Sequence, residues 1–196
     1  MRVISGTAKG HRLQAVPGDV TRPITDRTKE ALFDILGGFI VGARVLDLFA
    51  GTGAVGIEAL SRGAAEAVFI DKSAAALRTV RANLQHTRLA ERATVLRADA
   101  FKYLAGPIVT PFDLIYVAPP QYKGMWADTL HALDTRPAWL NRDPEQESGL
   151  VVVQIYPREY QDLPLSHLVQ YDQRKYGSTL LCFYELAERE DGEVQR

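Results

Sequence analysis

A doubly wound, mostly parallel α/β sheet that ends in an antiparallel hairpin is the fold this sequence predicts, with a small β extension at its N-terminus. Three observations predict it. Between residues 44 and 156, short apolar runs alternate with segments of helical spacing, the pattern of βα units. The first run, Val45 to Phe49, stops at the small-residue loop Ala50 to Gly53, after which Val55, Ile57, Ala59 and Leu60 fall at helical spacing. Two strand-like runs, 169–175 and 178–185, flank Tyr176-Gly177, a hairpin signal.

In order, residues 2–5 and 11–16 are β-like around Gly6 to Gly10 and form a hairpin or arm over 1–24. Asp26 is the expected N-cap of a helix over 27–36, closed by Gly37-Gly38. Strands are expected at 44–49, 66–71, 93–97, 112–117 and 149–156, with helices at 54–62, 73–86, 100–104 and 126–134. Gly63, Gly106-Pro107, Pro137 and Asp143-Pro144 punctuate them. The main domain therefore spans 25–187, and 188–196 is a polar, acidic tail.

Composition narrows the function classes. With 196 residues, 46% hydrophobic and 24% charged, the chain has the length of one domain with a sizeable core. Its apolar runs fall far short of a membrane span and no cleavable leader is visible. A single cysteine, Cys182, excludes an internal disulfide, and is expected in the core of a cytoplasmic protein. The four histidines show no metal-ligand spacing, and no metal is expected. A net charge of −1 argues against a generic nucleic-acid binder, yet residues 1–30 carry six basic side chains against three acids, a distribution that suits phosphate.

Gly51-Thr52-Gly53-Ala54-Val55-Gly56 satisfies G-x-G-x-x-G, which alone is weak evidence for a dinucleotide. Asp47, on the strand that feeds the loop, decides between ligands. An uncompensated carboxylate there repels a pyrophosphate but suits the ammonium and sulfonium of S-adenosylmethionine. Phe49, Ala50, Gly51, Thr52 and Gly53 then form the cofactor loop. Asp71, with Lys72 after it, ends the second strand, where an acid accepts ribose hydroxyls. Asp99, with Ala100 after it, follows the third strand on the adenine side. Helix capping is the plain alternative for both acids, and for Asp99 the two roles can coexist.

The fourth strand ends in Ala118-Pro119-Pro120-Gln121-Tyr122. This segment resembles the [Asp/Asn]-Pro-Pro-[Tyr/Phe] motif of amino-methyltransferases, which methylate exocyclic amines of nucleobases. With Arg22-Pro23-Ile24-Thr25-Asp26-Arg27-Thr28-Lys29-Glu30 before the core and Asp47-Leu48-Phe49-Ala50-Gly51-Thr52-Gly53 within it, the chain is similar over residues 1–186 to the RsmD family. The resemblance implies a seven-stranded, Rossmann-like class I methyltransferase fold, S-adenosyl-L-methionine as cofactor, and methylation of a guanine N2 amine in 16S ribosomal RNA. It implies small subunits or their assembly intermediates as partners, with a monomer as the default state. Arg22, Thr25 and Lys29 fall in the segment that borders cofactor and substrate in such enzymes, and the basic start of the chain and Lys123 are candidates for holding phosphates.

One departure matters. Alanine at 118 removes the usual side-chain acceptor for the amine, and Gln121 stands where an aromatic is common, with Tyr122 one place later. The carbonyls of Ala118 and Pro119 with Gln121 as acceptor and Tyr122 as stacking ring are one reading; a different target and binding without catalysis are two more. A DNA adenine-amine methyltransferase and, from the glycines alone, a nicotinamide oxidoreductase also stay open.

Overall fold

The computed structural model describes residues 1–18, 24–142 and 148–188. Arg22, Asp143-Pro144 and nearly all of the acidic tail lie outside the described residues. The elements are α1 (Asp26–Leu36), β1 (Arg44–Asp47), α2 (Ala54–Ser61), β2 (Glu66–Asp71), α3 (Ala74–Thr87) and β3 (Ala93–Arg97). They continue with α4 (Ala100–Ala105), β4 (Leu114–Val117), α5 (Met125–Asp134), β5 (Leu150–Ile155), β6 (Leu168–Tyr176) and β7 (Thr179–Leu186). The seven strands form one sheet in the order β3-β2-β1-β4-β5-β7-β6. All pairs from β3 to β5 are parallel, while β7 runs antiparallel to both β5 and β6. The doubly wound sheet and its terminal hairpin are thus as the sequence predicts.

Successive residues of each inner strand serve opposite faces, and both faces are covered, so the strands read as continuous apolar runs. Val45, Ala67, Phe69, Leu114, Tyr116 and Val152 join α1, α2 and α3 in one core. Leu46, Val68, Ile70, Ile115, Val117, Val151, Val153 and Cys182 join α4 and α5 in the other. Burial pushes the Cys182 thiol up to about 12, as expected of an inert core residue.

Two expectations are corrected. Thr25, not Asp26, caps α1: its Oγ1 accepts from the Thr28 N–H at 3.1 Å. The fourth strand starts at Leu114 rather than 112, because Phe112 makes only a bridge to Leu140. The N-terminal segment forms the small hairpin expected: Arg2 and Arg12 make an antiparallel bridge, with Val3 donating to the His11 carbonyl, Gly10 to the Val3 carbonyl and Leu13 to the Met1 carbonyl. Its turn docks on α2, where Ile4 and Ser5 donate to the Glu58 carboxylate and Thr7 to the Ser61 carbonyl. Val3, Ala8 and Leu13 enter the first core, so this segment packs into the main domain rather than projecting as an arm.

Candidate active site

Because β1 is flanked by β2 and β4, the chain direction reverses its winding there, and a crevice opens at the carboxyl ends of the strands. It is a cavity of about 760 Å³, within the range of small-molecule sites. Of the residues expected from sequence, Asp47, Phe49, Ala50, Gly51, Thr52, Asp71, Lys72, Asp99, Ala100, Ala118, Pro119, Pro120 and Gln121 line it together.

The glycine loop is shaped by backbone conformation. Gly51 and Gly53 have φ of 52° and 76°, the left-handed region that suits glycine. Gly53 caps α2 with no side-chain hydrogen bond, which leaves the first amides of that helix directed toward the loop. Gly56 serves packing: a Cβ there would lie 2.4 Å from the Phe69 ring on β2. Asn83, fully buried on α3, donates to the Thr52 carbonyl at 2.9 Å and exchanges hydrogen bonds with Gln14. It thereby ties the N-terminal segment to the loop, and Val16, Pro17, Gly18 and Ile24 reach the cavity wall.

Asp47 is 1% exposed, and neither carboxylate oxygen has a hydrogen-bond partner. Burial pushes its pKa up to about 7; the Gly56 amide opposes the rise and the Asp71 charge adds to it. An unsatisfied buried carboxylate facing a cavity is costly unless a cation or donor completes it. Asp71 accepts from the Gly51 N–H at 3.0 Å and the Ser73 N–H at 2.8 Å, locking the loop against the end of β2. Asp99 caps α4 through Oδ1, which accepts from the Phe101 and Lys102 amides. Capping and cavity lining coexist at Asp99, whereas Asp71 lines the cavity and caps no helix, Ser73 being the N-cap of α3.

The remaining predicted residues separate. Lys29 is corrected: its side chain is fully buried, 3.1 Å from Glu58, and donates to the Arg2 carbonyl at 2.6 Å. Burial lowers its pKa, with Glu58 opposing. It cannot reach a substrate, because its ammonium is buried and committed to Glu58 of α2 and to the Arg2 carbonyl. Thr25 is occupied with its cap and lies outside the cavity wall, as does exposed Lys123. Tyr122 stands beside the cavity, 67% exposed at φ 60°. Its N–H donates to Glu159 at 2.7 Å and its ring centroid is 5.7 Å from that of Tyr156.

Sequence reasoning missed Tyr116 and Gln154. Both line the cavity, and the Tyr116 hydroxyl donates to Gln154 Oε1. Tyr116 is paired in register with Asp47, and burial, then the Asp47 charge, raise its pKa. The available signal was Gln154 itself, a polar break in Leu150-Val151-Val152-Val153-Gln154-Ile155. Met125, at the start of α5, also reaches the cavity wall.

Fold and site together define an S-adenosylmethionine-dependent methyltransferase of the class I, Rossmann-like kind. The fold is shared with an RNA methyltransferase from Salinibacter ruber solved with S-adenosyl-L-homocysteine (TM-score 0.63, 12% identity, 89% of this chain and 100% of that one). The particular family follows: the chain belongs to the family described as "Conserved hypothetical protein 95", matched over residues 1–185, which is the RsmD family. It is 40% identical over 189 residues to "Putative rRNA methyltransferase YlbH" of Bacillus subtilis, covering 94% of this chain and 98% of that protein. It is 37% identical over 159 residues to "Ribosomal RNA small subunit methyltransferase D" of Escherichia coli, covering 78% and 79%. A solved structure named "Putative methyltransferase yhhF", from Escherichia coli, matches with TM-score 0.80 at 33% identity over 96% of this chain and 99% of that one. Among the described residues, no helix is long and apolar enough to cross a membrane.

Proposed function

We propose that this protein transfers a methyl group to the exocyclic N2 amine of a guanine in 16S ribosomal RNA, acting as a cytoplasmic monomer on the small subunit or its assembly intermediate. The observation that carries the reading is Asp47, a buried carboxylate without a hydrogen-bond partner, in a cavity that the Pro119-Pro120 turn also lines. The Escherichia coli relative's name, a small-subunit ribosomal RNA methyltransferase, supports the target class.

The chain's residues divide the work. Asp47 offers a negative charge to the methionine ammonium of the cofactor, and a desolvated carboxylate attracts it more strongly than one in water. The loop of Gly51 and Gly53 admits backbone close to the ligand. Asp71 accepts from the ribose and Asp99 from the adenine amine. When bound, S-adenosylmethionine supplies a methyl on a sulfonium, already a good leaving group. An exocyclic amine is a poor nucleophile because its lone pair is delocalised into the ring. Acceptors on its N–H groups, among them the Ala118 and Pro119 carbonyls, orient it toward the methyl. Rate then comes from orientation and electrostatics. Tyr122 is the stacking surface for a base splayed out of the RNA, and Arg22 and Lys123 hold phosphates.

Binding without catalysis is the second reading, and Ala118 is the residue that favours it. The test is transfer of labelled methyl from S-adenosylmethionine to small subunits lacking this modification and to naked 16S RNA, followed by mass mapping. N2-methylguanine at one nucleotide is the expected product. No product with either substrate overturns the proposal.

A further inference from the structure

We infer that Gln154 supplies the hydrogen-bond acceptor for the target amine that position 118 lacks, and that the Tyr116 hydroxyl holds its amide in place. The inference rests on the amine-methyltransferase reading above and names the group that completes it.

The strand register carries the argument. β4 and β5 pair in parallel from Leu114 with Leu150 to Val117 with Val153. Extended one residue past the end of β4, the same register brings Ala118 opposite Gln154. The two residues share a face of the sheet, because side chains alternate and neighbouring strands lie about 4.8 Å apart. The space that an aspartate or asparagine side chain would occupy at 118 therefore adjoins the Gln154 amide. Both residues line the same cavity, with Pro119 and Gln121.

The hydrogen bonding fits an acceptor role. Tyr116 is buried and its hydroxyl donates to Gln154 Oε1. A carbonyl oxygen has two lone pairs, so one remains for a ligand N–H. Committing Oε1 to Tyr116 also holds the amide in one orientation before the substrate arrives. Gln121 of the turn also carries an acceptor, but its side chain is exposed. Gln154 is further distinguished as the polar residue of a strand otherwise made of Leu, Val and Ile, a placement that is unfavourable unless its amide is used.

In the transfer, the amine nitrogen forms a bond to the methyl carbon as the carbon–sulfur bond breaks, and the electron pair stays on sulfur. The surplus proton on nitrogen passes to water, since an amide oxygen is not a base. Gln154 contributes by holding one N–H so that the nitrogen lone pair faces the methyl. Loss of one such bond, felt in the transition state, is worth about ten- to a hundred-fold in kcat.

The experiment compares wild type, Gln154→Ala, Tyr116→Phe and the double variant Ala118→Asp/Gln154→Ala. It measures methyl transfer to both small subunits lacking the modification and naked 16S RNA, with kcat and KM resolved, and S-adenosylmethionine affinity by calorimetry. The expected results are a kcat lower by about ten- to a hundred-fold in Gln154→Ala, a smaller fall in Tyr116→Phe, cofactor affinity within about twofold of wild type, and recovery of kcat in the double variant. Gln154→Ala with unchanged kcat overturns the assignment while leaving the methyltransferase reading intact. A lower kcat that comes with lost cofactor binding, or that Ala118→Asp does not recover, also overturns it, as either marks a structural role. A wild type that binds the cofactor but transfers nothing overturns the functional reading and this assignment with it.

Discussion

Two acids in this molecule are equally buried and opposite in every other respect. Glu58 of α2 is fully buried and has four donors: Lys29 at 3.1 Å, Arg62 at 2.9 Å, and the amides of Ile4 at 2.8 Å and Ser5 at 3.0 Å. Asp47 of β1 is 1% exposed and makes no hydrogen bond, the Gly56 amide lying near it short of bonding geometry. A buried charge with a full set of partners fastens elements together; here it joins α1, α2 and the N-terminal segment. A buried charge with none, facing a cavity, is a binding group waiting for its counter-ion. The difference shows why burial of an acid says little until its partners are counted.

The largest expected effect breaks the satisfied site. Glu58→Ala leaves the Lys29 ammonium buried without its carboxylate and frees two amides. Chemical denaturation should show a loss of about 3–5 kcal/mol. Replacing Lys29 as well, as Lys29→Met with Glu58→Leu, should recover most of it, because an apolar pair needs no charge partner.

Asp47→Asn should do the reverse to the unliganded protein. The folded pKa of Asp47 is raised from 3.8 to about 7. Below the unfolded value the group is protonated in both states and folding loses nothing. Stability falls as pH rises, and the loss is complete above pH 7. At pH 8 the asparagine variant should therefore unfold later than wild type by about 2–4 kcal/mol, while binding S-adenosylmethionine at least tenfold more weakly. An unchanged stability together with weaker binding would sharpen the contrast into pure recognition, with no stored cost.

Smaller effects follow. Cofactor affinity should fall about tenfold per pH unit below 7, as protonated Asp47 stops attracting the ammonium, and should fall again above about pH 8, where the cofactor's α-amino group loses its proton. Asp99→Ala should cost about 1 kcal/mol through loss of the α4 cap and weaken cofactor binding further; a loss of stability with no change in affinity would confine Asp99 to capping.

The sequence showed most of the sheet and half of the site, for reasons that particular residues make plain. β2 and β3 could be read to their last residues because Asp71 and Asp99 sit where a strand gives way to a helix start. The Gly51 to Gly53 loop and Asp47 were readable because everything they need is within a few positions. Lys29 misled because its partner Glu58 is 29 positions away, on another helix; a basic residue in a basic segment gives no local sign of an ion pair in the core. Gln154 was overlooked for the same kind of reason. Its place beside Ala118 exists only once β5 is known to pair with β4 in that register. The hairpin around Gly6 to Gly10 was readable from its own residues, but its docking was not, because Glu58 and Ser61, which hold its turn, lie on a helix distant in sequence.

The central claim, that Asp47 is the unpaired charge awaiting the cofactor's ammonium, is tested most directly by counting protons. Calorimetric titration with S-adenosylmethionine near pH 6, in buffers of different ionisation enthalpy, reports protons exchanged per molecule bound. Asp47 is mostly protonated there before binding and ionised after it, so close to one proton should be released, and Asp47→Asn should release none. Binding with no proton release in the wild type, or with the same release in Asp47→Asn, would contradict the account.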